Sequence, residues 1–290
     1  MRILVGYNHH PVSIGRMFIR AMIRTGHEVI TVGPKWAGRY DHPEYDDIPD
    51  IEIPRGLPTW RVNFLDQLGD IDQVWSFDAR FRLRGTVNNA PSVLYGTDPH
   101  VIDYRSYLRE YGYTFISQNT GYGTWIPLGY DPEIHVQTHL IDNNRDIDVC
   151  FIGSTTYGYD ARRSGLTALK QSPLKTYFNT GLFFTQYSKP YNRSKIAFNW
   201  SSMWDIPMRL WEGMAMGCCV VTNRIPYLDK LGLLEGRDYL AYSNPQELLY
   251  VVKSAVESDQ WKDVAASGQE KIKDHTYDQR LEMMMREINA

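Results

Sequence analysis

The 290-residue sequence has few cysteines, no long hydrophobic run and no excess of one charge. Its three cysteines, two of them adjacent at Cys218 and Cys219, are too few for a disulfide framework and indicate buried thiols. No apolar stretch approaches the length of a transmembrane helix, and the apolar run within residues 1–7 is too short for a signal peptide. We therefore expect a cytoplasmic protein without integral membrane association.

Charge and motif content exclude further classes. The formal net charge is −3 and the isoelectric point is about 6.2, so the whole chain has no basic footprint for nucleic acid. No G-x-G-x-x-G follows the first strand signal, which argues against a dinucleotide cofactor. Aromatic content is high at 13%, but these residues are spread along the chain and favour ordinary cores and interfaces.

Short apolar strand signals alternate with helical patterns. Residues 2–7 and 28–32 flank a helical pattern over residues 13–25, which Gly26 ends. This βαβ opening predicts an α/β protein with Rossmann-like parallel sheets. Further expectations are a helix over 101–111, a strand over 182–184, and three terminal helices over 245–257, 260–274 and 277–288.

The most informative stretch runs from Tyr191 to Tyr227. Apolar residues recur at helical spacing after Pro207, Gly217 ends this helix, and a β-rich run follows. Arg209 and Glu212 lie three positions apart on the helix. Arginine offers a planar fork for phosphate oxygens, and a carboxylate can accept hydrogen bonds from ribose hydroxyls. The alternative is an ordinary Arg–Glu pair on a solvated helix face.

This stretch resembles the C-terminal domain of GT-B glycosyltransferases, most closely the CgeB-like (spore maturation protein-like) family, which is related to glycosyltransferase families 1 and 4. The resemblance rests on residues 194–199, 209–217 and 220–222. A second point of resemblance is the Pro-x-Gly-x-Asp-Pro string at 127–132, which looks like the linker between the two domains of these enzymes.

The resemblance implies a GT-B fold, in which two Rossmann-like domains face each other across a cleft and a C-terminal helix crosses back. The expected domains are an acceptor-side domain over 1–128, a nucleotide-sugar-binding domain over 129–275 and the returning helix over 276–290. The donor-binding residues expected are Arg209, Glu212, Lys195, Asn199, Gly153, Ser154, Thr222 and Asn223.

One departure from the family pattern concerns a second glutamate. Many retaining family-4 enzymes carry two glutamates eight positions apart, and the partner of Glu212 would fall at Trp204. Its contact to the sugar or phosphate is therefore missing or comes from another residue, with Asp205 as the candidate.

Catalytic candidates come from loops that follow strands of the first domain. Asp98 and His100 follow the strand signal at 92–95, and His10 follows the first strand beside His9. Side chains at the carboxyl ends of parallel strands line the crevice of an α/β sheet. The alternatives are a helix cap or turn for Asp98 and ordinary loop histidines for the others.

The sequence predicts a metal-independent glycosyltransferase that uses a UDP- or GDP-type nucleotide-sugar as substrate and needs no cofactor. The Asp-x-Asp triplets at 70–72 and 146–148 match a GT-A metal motif, but such triplets are common and we interpret them as structural. Two alternatives are a non-catalytic nucleotide or glycan-binding protein and a nucleotide-sugar epimerase. The acceptor stays open among glycan, small molecule, protein and modified nucleic acid, with arginines at 80, 82 and 84 as a hint of an anionic acceptor.

Overall fold

A computed structural model describes residues 1–34, 49–53, 60–61, 68–77, 83–84, 89–138, 145–155 and 160–290. The chain forms two compact units. Unit 1 comprises residues Met1–Pro127 and Tyr277–Ala290, and unit 2 comprises Leu128–Thr276.

The described elements alternate strand and helix along much of the chain. The strands are β1 (Arg2–Gly6), β2 (Glu28–Gly33), β3 (Ile51–Glu52), β4 (Trp60–Arg61), β5 (Gln73–Phe77), β6 (Leu83–Arg84), β7 (Ser92–Gly96), β8 (Tyr113–Ile116), β9 (Thr124–Trp125), β10 (Ile147–Ile152), β11 (Thr176–Asn179), β12 (Ser194–Phe198), β13 (Cys219–Asn223) and β14 (Leu240–Tyr242). The α-helices are α1 (Ile14–Arg24), α2 (Asp160–Lys170), α3 (Phe184–Asn192), α4 (Met208–Ala215), α5 (Pro245–Glu257), α6 (Gln260–Lys271) and α7 (Tyr277–Ile288).

Each unit contains a parallel sheet, as the sequence predicted for an α/β fold. Unit 1 has a seven-stranded sheet of order β3-β2-β1-β5-β7-β8-β9, and β4 pairs with β6 separately. Unit 2 has a five-stranded sheet of order β11-β10-β12-β13-β14. The central strands of both sheets are almost wholly buried, as helices on a parallel sheet require.

Local chemistry explains the helix bounds in unit 2. The side chain of Asn244 caps α5 by accepting from the backbone N–H of Glu247 at 2.9 Å, and Pro245 occupies the first turn. Gly217 follows α4 with a φ of 71°, a left-handed conformation that glycine adopts without steric cost. The core beneath these helices packs β10, β12 and β13 against α2, α5 and α6.

The last helix, α7, packs on unit 1. Arg24 of α1 donates two hydrogen bonds to the carboxylate of Asp278 at 2.9 and 2.8 Å. The Tyr113 hydroxyl donates to the carbonyl of Ile288 at 3.0 Å, and the rings of Phe18 and Tyr277 lie 5.1 Å apart. The end of the chain therefore completes the unit in which the chain begins.

Two predicted elements are wrong. Residues 101–111 form only a short 3₁₀ turn at Tyr104–Tyr107. The Tyr104 side chain is buried there, and its hydroxyl donates to the carbonyl of Thr97 at 2.7 Å. The predicted strand over 182–184 gives way to the start of α3 at Phe184. The sequence did not predict this helix because its aromatic residues favour strands and Pro190 is unfavourable inside a helix.

Other expectations concern thiols, membrane spans and a cationic stripe. All three cysteines are buried and free, as predicted, and burial is the main reason that the pKa values of their thiols are raised. None of the helices that the structure describes is long and apolar enough to cross a membrane. Of the three arginines at 80, 82 and 84, the first two lie outside the described residues. The structure describes the backbone of residue 84 but not its side chain.

Asp238 provides a test of the packing between α6 and β14. Its carboxylate is 1% exposed and accepts from the backbone N–H of Leu234 at 2.8 Å and from the Ser267 hydroxyl at 2.6 Å. Arg237 pairs with it at 2.7 Å. Burial alone would raise the pKa of this carboxyl group, but the hydrogen bonds from Arg237, Ser267 and Leu234 outweigh burial and lower it.

We expect Asp238→Asn to lower the free energy of unfolding by about 1–3 kcal/mol at pH 7. Because the folded-state pKa is lowered, this stability is present above the pKa of the unfolded state, about 4, and disappears as pH falls through the folded value. Urea denaturation from pH 7 to pH 3 should therefore show the two proteins converging. Asp263→Asn, an exposed position on α6, is the control. A constant gap over this range would contradict the assignment.

Candidate functional site

The strand order of unit 2 indicates that a ligand would bind at the carboxyl ends of its strands. The chain leaves β10 to form β11 on one side and returns to form β12 on the other, so the topology switches direction between β10 and β12. Ligands of open α/β sheets bind outside the carboxyl ends of the strands at such a switch point. The residues that follow β10 and β12 are therefore the first to consider.

Arg209 bridges the two strands at this switch point. Its Nε and one terminal nitrogen donate to the carbonyl of Ile152 at 3.2 and 3.0 Å, and its other terminal nitrogen donates to Asn199 Oδ1 at 3.2 Å. The guanidinium also lies over the ring of Phe151, 4.6 Å from its centroid. A side-chain hydrogen bond with Tyr191 adds a further contact, so the guanidinium is fixed at the carboxyl ends of β10 and β12.

The electrostatic surroundings keep Arg209 charged. Burial alone would lower its pKa, but the neighbouring Tyr191, Tyr187 and Glu212 more than offset that effect and raise the pKa. The cation is thus held in place on rigid strand ends rather than on a mobile surface chain. A preorganised cation of this kind stabilises negative charge that develops on a leaving group.

Gly153 leaves the room that this guanidinium occupies. A Cβ atom at position 153 would lie 2.3 Å from a terminal nitrogen of Arg209 and 3.1 Å from the ring of Phe151. Any side chain here would displace Arg209, because the arginine end is the more flexible of the two neighbours. Ser154, the next residue, is exposed at the same edge, and its carbonyl accepts from Arg162 at 2.7 Å.

Polar side chains after β12 and β13 form a connected network. Asn199 Nδ2 donates to the hydroxyl of Thr222 at 2.8 Å while its Oδ1 accepts from Arg209. Asn223 exchanges two hydrogen bonds with the backbone of Ser201, at 2.6 and 3.2 Å. The structure therefore brings Arg209, Asn199, Thr222 and Asn223 to one edge, with Thr222 wholly buried as a support.

Glu212 lies one helical turn beyond Arg209 and is 6% exposed. The Tyr187 hydroxyl donates to its Oε2 at 2.5 Å, and His135 Nε2 lies 3.4 Å from its Oε1. Burial, followed by the adjacent Glu212, raises the pKa of Tyr187 well above its ordinary value, so this hydroxyl remains a donor. A carboxylate has about four acceptor positions, so the two contacts leave room for further donors.

The sequence analysis missed His135 and Tyr187. His135 Nδ1 accepts from the backbone N–H of Asp131 at 3.1 Å, which leaves Nε2 as the nitrogen that carries the proton toward Glu212. The carboxylate of Asp131 in turn accepts from the backbone N–H groups of Glu133 and Ile134. The Asp131–Pro132 pair indicates a turn in the sequence. Only the fold shows that this turn places His135 beside Glu212 of α4.

Lys195 does not reach this edge. It is the second residue of β12 and pairs with Asp148, the second residue of β10, at 2.7 Å. Four residues along a strand span roughly 13 Å, so this pair lies near the amino ends of the strands, away from Arg209. Asp146 pairs with Arg193 in the same region. The carboxylates of this Asp-x-Asp triplet are therefore engaged in ion pairs.

The catalytic candidates of unit 1 lie in loops at the carboxyl edge of its own sheet. Asp98 and His100 are exposed after β7, and Asp98 has a left-handed φ of 49°. The carbonyl of Asp98, rather than its carboxylate, accepts from Val101 and Ile102 at 2.8 and 3.1 Å. His10 follows β1, and its Nδ1 accepts from the backbone N–H of Val12 at 3.2 Å. Their catalytic roles stay predictions.

Comparison with known proteins gives one family and many similar folds. Residues 136–286 match the family model described as glycosyl transferase-like. This match covers unit 2 from residue 136 onward and most of α7, including the Arg209–Glu212 helix. No curated protein sequence matches the chain.

Solved glycosyltransferase structures share the fold over the full chain. HepE from Anabaena in complex with UDP-glucose has a TM-score of 0.69 at 12% identity, covering 99% of this chain and 100% of that one. An α-glucosyltransferase with UDP and a DNA 13-mer containing an HMU base has a TM-score of 0.67 at 14% identity and covers both chains completely. Sucrose-phosphate synthase from Thermosynechococcus elongatus has a TM-score of 0.66 at 11% identity, covering 100% of this chain and 99% of that one. The predicted α/β fold with parallel sheets is thereby confirmed, and its structural neighbours are GT-B glycosyltransferases.

The Tyr187–Glu212 contact predicts a measurable stability effect. Tyr187→Phe removes a hydroxyl donor from a buried carboxylate, and we expect the free energy of unfolding to fall by about 1–3 kcal/mol. Tyr250→Phe is the matched control because Tyr250 is 74% exposed on α5. Urea denaturation at pH 7 measures both. Equal stability of the two variants would show that the contact does not hold Glu212 in place.

Proposed function

The chain belongs to the glycosyl transferase-like family, and we propose that it moves a sugar from a UDP- or GDP-type donor to an acceptor hydroxyl. The observation that carries this proposal is the buried Arg209 cation, which the carbonyl of Ile152 and the side chain of Asn199 hold at the switch point of unit 2. A nucleoside diphosphate is the leaving group of such a reaction, and its charge matches this position. The general prediction of a glycosyltransferase is confirmed at the level of the family.

In this proposal each end of the nucleoside diphosphate has its own partner. The diphosphate accepts from Arg209 and lies beside the turn at Gly153–Ser154, whose first backbone N–H donates to the carbonyl of Asn179 at 3.0 Å, while the ribose hydroxyls donate to Glu212. Asn199 orients Arg209, and Asn223 braces the adjoining loop. Lys195 is left out because its ammonium is paired with Asp148 near the opposite end of the strands.

Departure of the diphosphate needs compensation for its charge. Arg209 provides this through charge-assisted hydrogen bonds that shorten as charge develops on the leaving oxygens. The C1 carbon of the sugar takes on oxocarbenium character as its bond to the phosphate oxygen breaks. The acceptor hydroxyl then forms the new bond to C1 and loses its proton, with Asp98, His100 or His10 as the base in an inverting reaction. We propose that the enzyme needs no metal or cofactor.

Several finer features belong to the same proposal. They are membership of the CgeB-like family, a cytoplasmic location, and a GT-B arrangement in which an acceptor-side domain faces the donor domain across a cleft. UDP is the first nucleotide to test, because similar folds have been solved with UDP-glucose and with UDP. The acceptor classes named above form the second panel.

We expect Arg209→Ala to weaken UDP or GDP binding by about 10- to 100-fold, the loss that follows when a charged hydrogen-bond donor is removed. Gly153→Ala should also weaken binding of the same nucleotide, because the added methyl group displaces the Arg209 guanidinium. Lys195→Ala is the control and should leave affinity within about twofold. Isothermal titration calorimetry on all four proteins tests this.

The possible outcomes distinguish an error in the proposed binding site from an error in the proposed activity. Unchanged affinity in both Arg209→Ala and Gly153→Ala, or a loss confined to Lys195→Ala, would contradict the site. Tight binding of a nucleotide-sugar without release of the nucleoside diphosphate, with or without acceptors, would instead favour the non-catalytic binding protein.

A further inference from the structure

Large apolar side chains on unfavourable backbone cluster in the loops that follow strands of unit 2. Phe184, Met203, Trp204 and Tyr227 have left-handed φ values of 48°, 55°, 67° and 69°. They follow β11, β12 and β13 at the carboxyl ends of the strands, where Phe184 opens α3 and the other three lie in connections. Among the described residues of unit 2, Asp259 is the other non-glycine residue with positive φ. Such strain persists where the surrounding structure enforces it, and it clusters at ligand sites.

Met203 and Trp204 are the exposed pair of this group. They are 64% and 66% exposed, so neither side chain contributes much to the core. An exposed indole on a left-handed backbone gains little from packing and has an unfavourable conformation. Folding alone therefore does not explain why this residue lies in this position.

The loop that carries Trp204 is braced at both ends. The Ser201 hydroxyl donates to the carbonyl of Asp205, and the backbone N–H of Asp205 donates to the carbonyl of Ser202 at 3.3 Å. Asn223 of β13 accepts from the backbone N–H of Ser201 at 2.6 Å. A short loop closed in this way presents the indole from a fixed backbone rather than from a flexible tail.

The proposed orientation of the donor along α4 indicates which of its parts lies nearest to Trp204. This step rests on the proposed function, in which Arg209 holds the diphosphate and Glu212 the ribose. A nucleotide-sugar runs from base to ribose to diphosphate to sugar. In that proposal the ribose meets Glu212, which lies further along α4 than Arg209. The sugar, at the other end of the diphosphate, then lies on the side of the loop that connects Asn199, a partner of Arg209 at 3.2 Å, to the start of α4.

We propose that Trp204 determines donor specificity by stacking its indole on the C–H face of the transferred sugar. A pyranose ring has one face rich in C–H groups, and a rigid aromatic ring covers such a face while losing little conformational entropy. The hydroxyls at the rim of the sugar stay available for polar partners. This contact acts on the sugar alone, so it favours a nucleotide-sugar over the free nucleotide.

Calorimetry with two matched ligands tests the proposal. UDP and UDP-glucose are titrated into wild type, Trp204→Ala and Trp204→Phe, with GDP and GDP-mannose as the guanosine pair. We expect Trp204→Ala to weaken nucleotide-sugar binding by about three- to tenfold while nucleotide affinity stays within about twofold. Trp204→Phe, which keeps a ring, should retain most of the affinity. Tyr250→Ala, which removes an exposed aromatic from α5, should change neither ligand.

A stability measurement separates stacking from a structural role. Trp204→Gly should keep or raise the melting temperature, because glycine adopts the left-handed conformation without strain, and should lose sugar affinity like Trp204→Ala. A marked fall in melting temperature would overturn the proposal in favour of a structural residue.

The remaining outcomes are decided by which ligand is affected. Equal loss of nucleotide and nucleotide-sugar affinity in Trp204→Ala would place the ring against the base instead and overturn the proposal, as would no loss at all. In both cases the proposed function survives, because wild type still binds nucleotide through Arg209. If wild type binds none of the four ligands, the proposed function and this inference fail together.

Discussion

The candidate site depends on one contact, in which the Arg209 guanidinium lies against the carboxyl end of β10. Arg209 belongs to α4, yet it donates twice to the carbonyl that ends β10 and once to the side chain that follows β12. This is possible because Gly153 has no side chain at the point where the guanidinium lies. The helix, the two strands and the glycine thus fix a cation at the switch point of a parallel sheet, where negatively charged ligands are well accommodated.

A second layer holds the carboxylate beside this cation. Glu212 receives the Tyr187 hydroxyl from α3 and faces His135, whose ring orientation is set by the turn at Asp131. Three separate parts of unit 2 therefore meet at one buried carboxylate. Buried polar groups are stable only when their partners are in place, so this network links the local geometry of the site to the folding of the whole unit.

The sequence was sufficient for the features that depend on neighbouring residues. Helix bounds at α5 and α7, the Pro207 and Gly217 limits of α4, and the parallel α/β class all follow from caps, glycines and periodicity. Partners far apart in sequence could not be predicted. Tyr187 lies 25 residues before Glu212 in a helix that aromatic residues and a proline obscured. Lys195 seemed close to the motif, but strand direction carries it to the opposite end of the sheet.

The central claim is that a nucleoside diphosphate binds at the carboxyl ends of β10 and β12, and a crystal structure of the UDP complex tests it most directly. Our account predicts a diphosphate oxygen within hydrogen-bond distance of the Arg209 guanidinium, near the turn at Gly153, with the ribose directed toward Glu212. Nucleotide bound at another edge, with the hydrogen bonds of Arg209 to Ile152 and Asn199 unchanged and no ligand beside them, would contradict it.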